Sequence, residues 1–140
     1  MKNIYRILIL VLAANTFSYA QCDFFTKKST FGKLKPYLNT QQAFSTVLLN
    51  DDKTVVSGTF YFGEEYRLLV TAEKQLGKIQ LNIKDADDKI IFTTSGYGII
   101  MWDFNLEAMQ DLKLEVITAP APAGQTLDKS GCVSIIIGFK

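Results

Sequence analysis

Apolar and polar residues alternate one by one along most of this chain, and a period of two fits an extended strand with one face buried and the other wet. Ile79, Leu81 and Ile83 alternate with Lys78, Gln80, Asn82 and Lys84, and Leu112, Leu114 and Val116 alternate with Lys113 and Glu115. Tyr66, Leu68 and Val70 repeat the pattern around Arg67 and Thr71, as do Ile100, Trp102, Phe104 and Leu106 around Met101, Asp103 and Asn105. Val133 to Phe139 is instead apolar at both parities, which predicts a central strand covered on both sides.

Turn-forming residues punctuate these runs at Asn50 to Lys53, Gly63 to Glu65, Lys74 to Gly77, Asp85 to Asp88 and Ser95 to Gly98. The spacing predicts strands over about 44–49, 54–62, 66–72, 78–84, 89–94, 99–104, 112–118 and 132–139. Eight strands with this pattern bury their apolar faces as two packed antiparallel sheets, a jelly-roll-like all-β sandwich. Helix is scarce. Phe24, Phe31 and Leu34 would line one face of a short helical or irregular segment ended by Gly32 or Pro36, and Leu106 to Gln110 would form a single turn. Thr118 to Gly131, with Pro120, Pro122 and Gly124, is the one long loop. A chain of 140 residues, 48% hydrophobic and 21% charged, suits one domain, here 21–140.

The N-terminus has the layout of an export signal over residues 1–20. Lys2 and Arg6 form a basic region, Ile7 to Ala14 an apolar one, and Ser18-Tyr19-Ala20 places small residues before a cut that would leave Gln21 first. Asn15, Thr16 and Ser18 interrupt the apolar run short of the roughly 20 residues that a membrane-spanning helix needs. Cys22 then has three candidate fates. A lipid anchor wants an aliphatic residue three places before the cysteine and a small one just before it, and Tyr19 and Gln21 stand there. Pairing with Cys132 in an oxidising compartment is favoured over two separate thiols, since exported chains with an even cysteine count use disulfides. The location read from these features is exported, periplasmic or extracellular.

Charge excludes some partners. Net charge is +1, and two of the 15 basic residues, Lys2 and Arg6, lie in the expected signal. The remainder is near neutral and lacks the basic footprint of a nucleic-acid binder. Catalytic and cofactor signatures are sparse as well. The chain has no histidine, which removes Ser-His-Asp and Cys-His mechanisms and the His-bearing zinc sites. Gly96-Tyr97-Gly98 lacks the third glycine and following helix of a phosphate loop, so no cofactor is expected. Asp85, Asp87 and Asp88 read as a turn, because the loop lacks the glycine and later glutamate of a calcium hand. Glu64 or Glu65 with Asp103 or Glu107 would be the acid and base of a small carboxylate hydrolase, against the plainer reading of solvated surface charge.

Aromatic residues carry the remaining signal. Tyr61, Tyr66, Tyr97 and Trp102 are candidates for stacking on a sugar. Trp102 shares the parity of Ile100 and Phe104 and so should face the core, which leaves Tyr61 and Tyr97 as the candidate ligand-facing rings.

The segments "FYFGEEYRLLV", "IQLNIKDADDKIIF", "MWDFNLEAMQDLKLEV" and "GCVSIIIGFK", in that order, resemble small exported β-sandwich proteins of Gram-negative bacteria. Their core is similar to the bacterial pre-peptidase C-terminal domain, over about residues 54 to 139 here. The resemblance implies a sandwich and an exported location; its motifs are structural and carry no catalytic residue. Sequence therefore predicts an exported, non-catalytic module that binds a protein or a glycan or plays a structural part. Carbohydrate binding through exposed aromatics and, behind it, a carboxylate hydrolase are the alternatives.

Overall fold

The computed structural model describes residues 17–30, 32–125 and 129–140. The basic and apolar regions of the expected export signal lie outside them. Among the described residues the α-helix α1 (Phe17–Thr30) precedes eight strands: β1 (Leu38–Leu49), β2 (Lys53–Phe60), β3 (Glu65–Ala72), β4 (Lys78–Lys84), β5 (Ile90–Tyr97), β6 (Ile99–Asn105), β7 (Gln110–Thr118) and β8 (Ser130–Phe139). All eight strands read from the alternation are present, most of them one to three residues longer than the pattern alone indicated. β1 gains six residues at its start, where Leu38 to Ala43 carries no alternation.

The strands form two antiparallel four-stranded sheets, ordered β1-β8-β3-β6 and β2-β7-β4-β5. The fold is thus a β-sandwich. Its interior is built from the inward parity of each strand: Leu68 and Val70 on β3, Ile79, Leu81 and Ile83 on β4, Leu112, Leu114 and Val116 on β7, and Val133, Ile135 and Ile137 on β8. Burying each such side chain stabilises the fold by about 1.5 to 3 kcal/mol before conformational entropy is subtracted. At the open side of the sandwich, β5 turns directly into β6 through Gly98, whose φ of 73° suits a residue without a Cβ.

The dual apolarity of β8 has a specific cause. Its outward residues Cys132, Ser134 and Ile136 lie under α1, which packs on β1, β8 and β3. Cys22 on α1 is bonded to Cys132, with Cα atoms 5.3 Å apart at a sequence separation of 110. The polar contacts across that interface are made by hydroxyls: Ser29 and Thr71 share a 3.0 Å hydrogen bond and Ser45 donates to Asp23 at 3.4 Å, while Thr26 donates to the Cys22 carbonyl within the helix itself. α1 is longer than the sequence indicated and uses different residues. Phe24, expected on the buried face, is 70% exposed, because the helix is held by its cysteine rather than by an apolar stripe. Leu34 comes after the helix and packs over Gly138, where a Cβ would stand 2.9 Å from it, and Phe31 lies outside the described residues.

Candidate functional site

The outward face of the second sheet carries the densest polar arrangement among the described residues. Registers place Val55, Glu115, Asn82 and Thr93 in one row across β2, β7, β4 and β5. Lys53, Ile117, Gln80 and Ser95 form the row beside it, and Lys78 faces Tyr97 at the end of the sheet. Glu115 and Asn82 are each only 4% exposed although they point away from the core. A carboxylate so nearly sealed must be paired. Asn82 donates to Glu115 Oε2 at 3.0 Å, Lys84 Nζ to Oε1 at 2.9 Å, and Lys53 Nζ stands 3.6 Å from the same oxygen. Those partners, the Asn82 hydrogen bond foremost and Lys84 next, hold the Glu115 carboxyl below its ordinary pKa against the opposing effect of burial. Asn82 Oδ1 accepts in turn from Gln80 at 2.9 Å and Thr93 at 2.8 Å.

Beside this network lies a shallow groove of about 270 Å³. Lys78, Gln80, Ser95 and Ile117 form its floor, and Asp51, Ala119 and Pro120 its wall. The wall is held from behind. Asn50 Nδ2 and the Asp51 amide both donate to the Ala119 carbonyl, and Thr118 Oγ1 donates to the Leu49 carbonyl at 2.6 Å. Exposed hydroxyl, amide and ammonium groups thus adjoin the Tyr97 ring, which is 75% exposed. Such a surface can hydrogen-bond and stack. It offers no acid paired with a base, since its one carboxylate within the network is sealed and ionised.

The other sequence candidates fall elsewhere. Tyr61 is 57% exposed, but it follows β2 at the end of the sheet opposite Tyr97. The nine residues of β7 lie between these ends, about 27 Å at the usual strand rise, so one small ligand does not reach both tyrosines. Tyr61 is instead grouped with Phe62, 70% exposed, and Met109, 64% exposed, on two neighbouring turns. Tyr66 is buried, its hydroxyl accepting from the Tyr61 amide at 2.8 Å. Trp102 faces inward as its parity predicts but is only partly buried, stacked between Phe92 and Phe104 with ring centroids 4.2 and 4.3 Å away.

Of the carboxylates weighed as acid and base, Asp103 and Glu65 are taken up in separate ion pairs. Asp103 receives Nε and one terminal nitrogen of Arg67 at 2.7 and 2.6 Å, and these bonds hold it below the ordinary carboxylate pKa, the reverse of what a general acid needs. Glu65 pairs with Lys140 at 2.8 Å. Asp85 accepts from the amides of Asp87 and Lys89, as a turn residue does, and no cluster of metal-ligating side chains occurs among the described residues. No described helix is long and apolar enough to cross a membrane.

No family model matches the chain, and no curated protein matches it. Solved structures do. A periplasmic inhibitor of g-type lysozyme from Aeromonas hydrophila, PliG, superposes with a TM-score of 0.53 at 13% identity, over 76% of this chain and 90% of that one. A CBM4 module gives 0.46 at 7% identity over 80% and 83%, and a CBM36 carbohydrate-binding module, solved with calcium and xylotriose, gives 0.39 at 8% over 75% and 94%. At these identities the likeness to the inhibitor is one of fold: both chains are β-sandwiches.

The buried pair Glu115 and Asn82 was not singled out from sequence. A signal for it does exist, because Asn and Glu are disfavoured in mid-strand and both stand at outward positions of adjoining strands.

Proposed function

We propose that this chain is an exported, non-catalytic binding module that engages a polyhydroxylated ligand, a glycan, on the outer face of the second sheet. The observation that carries this reading is the exposed Tyr97 ring, opposite Lys78 in the strand register and next to a groove that Lys78, Gln80 and Ser95 line. Sugars are recognised by stacking of a C–H face on an aromatic ring together with hydrogen bonds from amides and hydroxyls. The Glu115 network beneath adds stiffness: Gln80 and Thr93 are oriented by Asn82, which reduces the entropy lost on binding. The Cys22–Cys132 bond and the signal-like N-terminus support an exported location.

A glycan array followed by calorimetry on the best oligosaccharide tests the reading. Tyr97→Ala and Gln80→Ala should each weaken binding about tenfold or more while leaving the melting temperature unchanged. Binding that survives both substitutions would remove the sheet face from consideration.

A protein partner is the second reading, favoured by the exposed Tyr61, Phe62 and Met109 at the far end and by the fold shared with a lysozyme inhibitor. Inhibition of a g-type lysozyme that is lost in Phe62→Ser would put it first.

A further inference from the structure

Edge strands expose a row of main-chain donors and acceptors, and proteins protect them with charged side chains, prolines, bulges or very short strands. β1 is the longest strand here, twelve residues, and has β8 as its one neighbour in the first sheet. Its sequence, LNTQQAFSTVLL, contains neither a charged residue nor a proline. The bulge between Asn39 and Ala43 disturbs the first part, but Ala43 to Leu49 pairs with β8 in unbroken register. Along that regular stretch alternate residues turn their N–H and C=O groups away from β8. Three apolar side chains border it, Phe44, Val47 and Leu49, exposed by 38, 47 and 46%.

The other edges are managed. β2 begins with Lys53, and β6 carries Asp103 in its ion pair with Arg67. β5 lacks charge too, but its inward-facing residues are packed onto β6: Phe92 stacks on Trp102, and Gly96 lies against Ile99 and Ile100.

We infer that two copies of this chain join through the open edge of β1, with Ala43 to Leu48 pairing antiparallel to the same segment of the second copy. A strand without charged residues is complementary to itself: a two-fold pairing sets no like charges of β1 opposite one another in any register, and the nearby Asp23 of α1 lies on the helix-covered face, where it accepts from Ser45. Leu49 is left out of the segment, because its amide and carbonyl are taken by Asp52 and Thr118. The first sheets of the two copies then run on as one sheet of eight strands. Antiparallel pairing places the two-fold axis perpendicular to that sheet, so both second sheets lie on one side and both α1 helices on the other. The two outer faces therefore point the same way. Insofar as those faces bind glycan as proposed above, the dimer is a bivalent platform for a repeating polymer.

Sedimentation equilibrium over micromolar to near-millimolar protein should show a twofold rise in mass. Hydrogen exchange at the two extremes should show slowed exchange on alternate amides of Ala43 to Leu48. Val47→Lys, which sets two like charges near the pairing, should stay monomeric at the highest concentration with an unchanged melting temperature. A constant monomer mass would overturn the inference. So would a dimer whose protected amides lie elsewhere, for example at 61–64 and 106–109, a result that holds even if Val47→Lys fails to fold. Failure of glycan binding in a protein that still dimerises would count against the proposed ligand and leave the β1 pairing intact.

Discussion

Asn82 on β4 and Glu115 on β7 face each other across the second sheet, and the amide of one donates to the carboxylate of the other at 3.0 Å although 33 residues separate them. Because Glu115 titrates lower in the folded chain than in the unfolded one, the folded state holds fewer protons across the interval between the two values. Its contribution to stability is complete above the ordinary carboxylate range and disappears as pH falls through the folded value. Urea unfolding at pH 7, 5, 4 and 3 should therefore show stability declining only below about pH 5. Part of that decline should be missing in Glu115→Gln, the remainder coming from Asp103 and Asp88, which Arg67 and Lys113 hold below the ordinary carboxylate range. Glu115→Ala, which strands Asn82 and Lys84, should lower stability at pH 7 by about 2 to 3 kcal/mol.

The Cys22–Cys132 bond fastens a helix that has little apolar surface of its own against the sheet. Closing a loop of 110 residues removes about 4 to 5 kcal/mol of unfolded-state advantage in the chain-entropy description. Cys22→Ser with Cys132→Ser should lower unfolding stability by up to that amount. Amides of α1 should also exchange far faster than those of β3 and β8, because the hydrogen bonds of Ser29 to Thr71 and of Ser45 to Asp23 are weak substitutes for the bond. Equal protection of helix and sheet in the double variant would show that the helix docks unaided.

Trp102 closes the open side of the sandwich rather than filling its centre. Trp102→Ala removes stacking on both Phe92 and Phe104 and should cost about 3 kcal/mol, the low end for a large-to-small change, since the ring is partly exposed. Native fluorescence should be blue-shifted yet measurably quenched by acrylamide. Complete shielding from the quencher would contradict the partial burial.

Arg67 ties the segment after α1 to the sheet edge. Its guanidinium binds Asp103 through two nitrogens, donates to the carbonyls of Lys33 and Lys35 at 3.3 and 2.9 Å, and lies 4.4 Å over the Tyr37 ring. Lysine has neither the fork nor the plane to do all of this. Arg67→Lys should cost about 1 to 2 kcal/mol in unfolding experiments and release residues 33–37 to rapid hydrogen exchange. A neutral effect at both readouts would make the cluster a surface ion pair of no consequence.

Strand positions were legible because alternation is a local property: Ile79, Leu81 and Ile83 announce a buried face without reference to any partner. Cross-strand chemistry is not local. Glu115 meets Asn82 through a register that depends on the sheet order, and nothing in either strand alone states that order. α1 was partly hidden for a different reason. A helix held to the sheet by a covalent bond and hydroxyl contacts needs no apolar stripe, and Phe24, whose aromatic character points to burial, is turned to solvent. Tyr97 is legible because it stands between two glycines, although it closes β5 rather than lying in a turn; the groove near it depends on Pro120, distant in sequence and brought in by the pairing of β4 with β7.

The bond between Cys22 and Cys132 also turns most of the chain into a covalent circle. Every hairpin turn, and the greater part of the loop between Thr118 and Ser130, lies on that circle. A protease that cuts one such turn opens the ring at a single point and releases no fragment. The nicked molecule stays one piece, its strands still paired on both sides of the cut. If the chain is exported as proposed, damage at one exposed turn is then survivable, and loss of the fold requires a second cut or a reductant.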